Sequence, residues 1–148
     1  MKQNLIRLIV LVSVFAFVAG AAITFAVMHW TRRIPSIATL KTVGVGVYED
    51  PACTVSVIQI DWGILEPGDT ATFDAYIKNL SNIPITLTVR TEDWSPANAS
   101  SFISLSWDYD GTEIPVDNSI PVTLTLKVDA ATAGIESFSF TIVIVGSG

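Results

Sequence analysis

The sequence predicts an all-β protein, a single antiparallel β-sandwich of about eight strands, preceded by one N-terminal transmembrane or signal helix. Three observations predict this class. An uninterrupted apolar segment begins at Leu8 and ends at Trp30. From Lys41 onward, apolar and polar residues alternate with a period of two, as in strands with one buried face. Turn signals then recur about every ten residues, which is typical of sandwiches.

The N-terminal apolar segment is long enough to span a membrane. No charged residue occurs between Arg7 and Arg32, and a helix rising about 1.5 Å per residue over this length covers a hydrocarbon core of about 30 Å. Lys2 and Arg7 form a basic N-terminal region, and the small residues 19–21 suit a signal-peptidase site. We expect a retained single span, and cleavage of the segment is the alternative.

The predicted domain organisation follows from this segment. Residues 1–33 form the anchor or signal, residues 34–40 a linker in which Pro35 prevents helix continuation, and residues 41–148 the sandwich. Short N-terminal tails usually remain in the cytoplasm, so we expect a single-pass cell-membrane protein with an extracellular domain, or alternatively a secreted one. Asn79 and Asn98 begin N-x-S triplets, a pattern of glycosylation acceptors that also occurs often by chance.

The net charge of the domain limits which partners we expect. All 14 acidic residues follow Arg33, where they meet only four basic ones, so the domain carries a net charge of −10. Such a domain is repelled by phosphate backbones, which excludes nucleic acid as an expected partner. Cys53 is the only cysteine, so the domain is not a disulfide scaffold.

The alternating pattern predicts eight strands in order. The first, at residues 43–48, is weakened by its glycines. The second, at residues 53–60, changes its apolar face near Val57 and Ile58, which predicts a β-bulge. The strand at residues 112–116 contains Pro115 and is expected at a sheet edge. The other five are predicted at residues 70–78, 83–91, 102–109, 121–129 and 136–145.

Two turns have residues that suit a defined turn type. Pro67 and Gly68 fit the central positions of a type II turn, where proline presets φ and glycine accepts a positive φ. Asp110 and Gly111 fit a type I′ hairpin turn, which needs a positive φ at both central residues. Strands joined in this way predict a sandwich of immunoglobulin-like or jelly-roll type.

We find no catalytic pattern after residue 33. The single histidine, His29, lies within the apolar segment, so the domain lacks the residues of a Ser–His pair or a histidine-containing zinc site. A glycine-rich phosphate loop is also missing. We therefore expect a non-enzymatic protein that uses no cofactor.

Acidic and aromatic residues leave a ligand-binding alternative open. Asp108, Asp110, Glu113 and Asp117 are the best candidates for calcium, which prefers several oxygens from one loop, but solvated turn carboxylates are the favoured interpretation. The tryptophans after residue 33 offer rings for stacking on sugars. Trp94 alone falls in a predicted loop, and both exposure and burial remain open for it.

One region resembles a known type of surface domain. In residues 61–69, Gly63 is followed by Pro67 and Gly68 in a G-x-x-x-P-G turn, and the next strand ends in Lys78 and Asn79. This pattern resembles immunoglobulin-like sandwich domains of prokaryotic, archaeal-type cell-envelope proteins. The chain is also similar in outline to the TasA/camelysin family and the archaeal bundling pilins. That resemblance implies an exported protein, and in some members polymerisation by donor-strand exchange, with residues 43–48 as the donor.

Together these observations predict a non-enzymatic cell-surface protein with a structural or adhesive role. Its expected partners are the membrane, through the N-terminal helix, and homotypic or other cell-envelope proteins. A secreted filament subunit of a pilus or biofilm matrix, assembled by strand donation, is the first alternative. A glycan- or calcium-binding surface module is the second.

Overall fold

A computed structural model describes residues 34–132 and 134–148. The predicted span from Leu8 to Trp30 and His29 lie outside these residues. No helix within the described part of the chain has the length and apolarity needed to cross a membrane.

The described residues form an all-β fold with one short 3-10 helix at Ala97–Ser101. Alternation of buried and exposed residues accounts for most of the strands, as predicted. The strands are β1 (Ile34–Val43), β2 (Val45–Tyr48), β3 (Gln59–Leu65), β4 (Thr70–Asn79), β5 (Thr86–Ser95), β6 (Ile103–Trp107), β7 (Ser119–Val128) and β8 (Phe138–Ser147).

The eight strands form two four-stranded sheets, with the orders β3-β1-β8-β5 and β2-β4-β7-β6. Every pairing of strands in them is antiparallel except that of β1 with β8, which is parallel. Inward side chains of both sheets form one buried cluster, in which Ile142 and Ile144 of β8 join Leu124 and Leu126 of β7. The arrangement is therefore sandwich-like, with its core between the sheets.

The predicted turn at Pro67 and Gly68 is confirmed. Gly68 has a φ of +95°, and the Asp69 backbone N–H donates to the Glu66 carbonyl oxygen at 3.0 Å. These are the features of a type II turn, and β4 begins at Thr70 directly after it.

The predicted linker is wrong, because residues 34–40 are the first seven residues of β1. Ile34, Ser36 and Ala38 are buried and alternate with exposed residues, so the segment is a strand inside a sheet. Two of the buried residues are small and one is polar, which hid the period-two pattern. Pro35 is tolerated because it lies at the start of the strand, before the pairing with β8 begins at Ser36.

Two further predictions about strands are wrong. Residues 53–58 are not strand, because β3 begins at Gln59. The bulge predicted near Val57 and Ile58 lies instead at Trp62, which has no partner in β1 although Asp61 and Gly63 on either side of it do. The hairpin around Asp110 is also missing, since β6 pairs with β7 and residues 112–116 contribute only one isolated bridge, from Ile114 to Ile85. Asp110 uses its carboxylate to accept the Thr112 backbone N–H at 2.9 Å, which forms a local turn instead.

Candidate functional site

The most distinctive feature of the fold is the place of β1, the first strand after residue 33. It lies between β3, to which it is antiparallel, and β8, to which it is parallel. Thr39, for example, is registered with Gln59 on one side and with Thr141 on the other. We call the place between the facing residues of β3 and β8, which β1 occupies, the β1 slot.

The inner side of the β1 slot is shaped by size complementarity. Ser36 and Ala38 of β1, both buried, are registered with Phe138 and Phe140 of β8. Small residues beside large ones allow the phenyl rings to fill the core without crowding the neighbouring strand. The Ser36 hydroxyl donates to the Gly63 carbonyl oxygen at 3.3 Å, which satisfies the one buried polar side chain of β1.

Trp94 completes the aromatic part of this core. Its indole is half-buried and stacks on Phe140, with ring centroids 4.2 Å apart and an interplanar angle of 6°. Trp62 is buried, and Trp107 is partly buried against the core and meets Tyr109 edge-on at 5.3 Å. These tryptophans therefore contribute to packing, and the predicted sugar-stacking surface has no matching platform of exposed rings within the described residues.

The outer side of the β1 slot carries a small charged cluster. Lys41 of β1 donates to a Glu92 carboxylate oxygen at 2.8 Å and lies 3.4 Å from an Asp93 oxygen, while Thr141 of β8 donates to Asp93 at 3.1 Å. The hydrogen bond to Glu92 and its charge raise the pKa of Lys41. Because these groups are largely solvent-exposed, the cluster, which links β1 to β5, adds little to the stability of the fold.

One residue connects β1 to the rest of the domain. Gly44 lies between β1, in one sheet, and β2, in the other, and has a φ of +72°. Its carbonyl oxygen accepts the Leu80 backbone N–H at 3.1 Å. The chain therefore changes sheets within a single residue that needs glycine's freedom to take a positive φ.

Residues 43–48, the donor strand implied by the resemblance, fall on two elements. Val43 ends β1, while Val45–Tyr48 forms β2, which pairs with β4 of the same chain. The open side of β2 is occupied too, because Val57 donates to the Val47 carbonyl oxygen at 2.8 Å and Glu49 to that of Val55 at 2.9 Å. The strand next to the N-terminal segment is β1, not β2.

The acidic candidates for calcium do not converge on one point. Asp108 accepts the Thr123 backbone N–H at 2.7 Å, and Asp110 accepts that of Thr112. The hydrogen bonds from Thr112 lower the pKa of Asp110. Glu113 and Asp117 are exposed. Within residues 34–132 and 134–148, no three histidine, cysteine or acidic residues are grouped as a metal would need.

A buried asparagine at the end of β4 escaped the sequence analysis. The side chain of Asn79 is fully buried, and its amide donates to the carbonyl oxygens of Ile83 and Ile114 at 2.8 and 3.0 Å. Its oxygen accepts from the backbone and hydroxyl of Ser81 at 2.8 and 2.7 Å. All four hydrogen-bonding positions of this amide are used, so Asn79 joins three segments of chain.

Comparison with known proteins adds no relative to these observations: no protein-family model matches the sequence, and no curated protein matches it.

Proposed function

We propose that this chain is a non-enzymatic cell-surface protein with a structural or adhesive role, whose β-sandwich is held outside the cell by the N-terminal apolar segment. The observation that supports this most directly is the position of β1. It begins at Ile34, the first described residue, and is hydrogen-bonded to a strand on each side.

A tether attached to β1 suits a domain that bears load. Force applied at Ile34 acts along the strand, so the hydrogen bonds to β3 and β8 resist it together in shear. An edge strand would have only one such ladder. The acidic exterior keeps the domain soluble and disfavours its lying flat on an anionic membrane.

Surface labelling tests this proposal. Ser119 is exposed on β7 and Ser36 is buried on β1, so Ser119→Cys and Ser36→Cys, each in a Cys53→Ser background, form a matched pair. With a membrane-impermeant maleimide we expect intact source cells to label the Ser119→Cys protein and not the Ser36→Cys protein. Labelling of Ser119→Cys only after cell lysis would contradict an extracellular domain.

The intact mass of the surface-labelled protein separates an anchored form from an exported one. A mass that includes residues 8–30 supports the anchor. A mass that begins near residue 22 or beyond residue 30 supports the second candidate function, a secreted filament subunit assembled by strand donation.

Strand donation is favoured by the same β1 slot. β1 is the first described strand and is joined to the remaining strands through Gly44 alone, and its removal would leave facing edges of β3 and β8 open. Open edges of this kind accept a strand from another chain. We propose β1 as the donated strand, in place of residues 43–48.

A disulfide across β1 and β3 distinguishes the two functions. Thr39 and Gln59 are exposed partners, and the Leu40 N–H bond to Ile58 oxygen makes them the non-hydrogen-bonded pair. Such pairs have Cα atoms about 4.5 Å apart, which suits a disulfide. Thr39→Cys with Gln59→Cys, again in the Cys53→Ser background, should form a bridge within one chain if the sandwich is closed, and between chains if β1 is donated.

The control for this experiment is Thr70→Cys with Lys127→Cys, an exposed antiparallel pair of β4 and β7 that does not involve β1. It should bridge within one chain under both functions. A ladder of linked chains on a non-reducing gel for the Thr39/Gln59 pair alone supports donation, and monomers for both pairs contradict it.

We further propose that the sandwich is of immunoglobulin-like rather than jelly-roll type. The parallel pairing of β1 with β8 supports this, because jelly rolls are built from antiparallel strands.

A further inference from the structure

We infer that Asn98 is an acceptor for an N-linked oligosaccharide, and that Asn79, which begins the other N-x-S triplet, is not. The inference rests on the proposed extracellular position of the domain, because oligosaccharide transfer takes place on the outer side of the exporting membrane. The two triplets have the same pattern, Asn79-Leu80-Ser81 and Asn98-Ala99-Ser100, but the fold treats them in opposite ways.

Asn79 has no room for a sugar. Its side chain is 0% exposed, and both hydrogens of its amide nitrogen are donated to carbonyl oxygens, of Ile83 and Ile114. A glycosidic bond to that nitrogen would replace one of these hydrogens and place a sugar ring inside the core. A chain modified at Asn79 would therefore be unable to close the end of β4.

Asn98 has the opposite surroundings. It is exposed on the short 3-10 helix Ala97–Ser101, between β5 and β6. Ala99 is fully buried and fixes this turn to the core, so the asparagine is presented outward from a defined position. Ser100, the hydroxyl residue of the triplet, is also exposed and donates to the Ala97 carbonyl oxygen at 3.0 Å.

The surface next to Asn98 suits a carbohydrate. A depression of about 220 Å³ begins at Ser100 and is lined by Ser101, Ser104, Lys127 and Asp129 among others. Hydroxyl and ammonium groups pair with sugar hydroxyls. Residues 94–107 form the longest stretch of the domain without a charged residue. Neither Lys127 nor Asp129 belongs to an ion pair among the described residues, so an oligosaccharide here disrupts none.

The transfer is a simple substitution with balanced atoms. The amide nitrogen of Asn98 forms a bond to the anomeric carbon of an oligosaccharide carried on a polyprenyl phosphate. The bond between that carbon and the phosphate oxygen breaks, and the carrier leaves with the electron pair. The amide proton passes to a carboxylate of the transferase and then to solvent, and nothing is oxidised or reduced.

The test uses the full chain recovered from its source cells after labelling of intact cells with a membrane-impermeant reagent. Intact mass and peptide mapping should show added hexose-type mass on the peptide containing Asn98 and none on that containing Asn79. Asn98→Gln and Ser100→Ala should both lose the added mass completely. Ser100→Thr, which preserves the triplet, should retain it, as should Asn82→Gln, an exposed asparagine outside any triplet.

The outcomes distinguish failure of the Asn98 inference from failure of the proposed extracellular position. An unmodified Asn98 in protein that was labelled from outside overturns this inference and leaves the proposed function intact. Added mass on Asn79, or added mass that persists in Asn98→Gln, overturns it as well. Failure of the chain to label on intact cells overturns the extracellular position, and the inference with it.

Discussion

Replacing Asn79 with alanine should destabilise the domain by about 3 kcal/mol, since a typical intramolecular hydrogen bond contributes about 0.5–1.5 kcal/mol net. The side chain makes four such bonds in a fully buried position. Water replaces part of the loss, because Ser81 and Ile83 lie at the surface. Each of the two carbonyl oxygens also has another donor in the variant: the Ser81 hydroxyl, released from Asn79, for Ile83 and the Ile85 N–H for Ile114.

Urea unfolding followed by tryptophan fluorescence measures this effect. An unchanged m-value with a lower midpoint would show that native-state stability has changed. For a domain of this size, about 3 kcal/mol corresponds to a fall in Tm of roughly 12 °C. The matched control is Asn82→Ala in the same turn, whose exposed side chain should cost less than about 0.5 kcal/mol. Equal stability of the two variants would refute the role assigned to Asn79.

Three further predictions concern other parts of the domain. Trp94→Ala should lower the free energy of unfolding by about 2 kcal/mol through lost stacking on Phe140, whereas Trp94→Phe should lower it by less than half of that. Equal urea midpoints for these two variants would contradict a stabilising stack. Asp50 accepts the N–H groups of Thr54 and Val55, and the bond from Val55 most of all lowers the pKa of this carboxyl below its ordinary 3.8. The stabilisation by ionised Asp50 is therefore fully present above pH 3.8 and is lost as the pH falls through the lower pKa that Asp50 has in the folded state. Thermal melts from pH 5 to pH 2 should show a smaller fall in Tm for Asp50→Asn than for the natural chain. β6 is an edge strand without a charged residue, and such edges pair with other chains. Ser104→Lys on β6 should therefore reduce self-association measured by sedimentation, whereas Thr72→Lys on the inner strand β4 should not.

The long strands could be predicted from sequence because their inward residues are large and regular. Val122, Leu124, Leu126 and Val128 of β7 alternate with polar residues, and all four are buried. In β8, Phe138, Phe140, Ile142 and Ile144 are likewise buried, although Thr141 and Val143 between them are buried too. Alternation of this kind requires no knowledge of the neighbouring strands, since each strand shows its own buried face.

β1 escaped prediction because its inward residues are chosen by its neighbours. Ser36 and Ala38 are buried since Phe138 and Phe140 occupy the space beside them. A small or polar residue in such a position gives no apolar signal in the sequence. Only the pairing of distant strands makes its burial necessary, and pairing cannot be read from one strand alone.

Asn79, in contrast, left a signal that could have been read. Residues 71, 73, 75 and 77 are the inward positions predicted for β4, and position 79 continues the same register. A polar residue at an inward strand position must find hydrogen-bond partners or destabilise the fold. The turn that follows, with Ser81, supplies part of them.

The two functions proposed for the β1 slot use the same contacts, and the competition between them is decided by connectivity. A β1 from a second copy would meet the same residues of β3 and β8 as the chain's own strand, so the contacts alone favour neither. A strand attached through Gly44 has an effective concentration of millimolar order at its own slot, far above that of other copies in dilute solution. A hinge of one residue works in the other direction, because short hinges favour exchange of a strand between chains. Lengthening the hinge at Gly44 by two glycines should therefore shift Thr39/Gln59 disulfides from linked chains to single chains, if strand donation takes place at all.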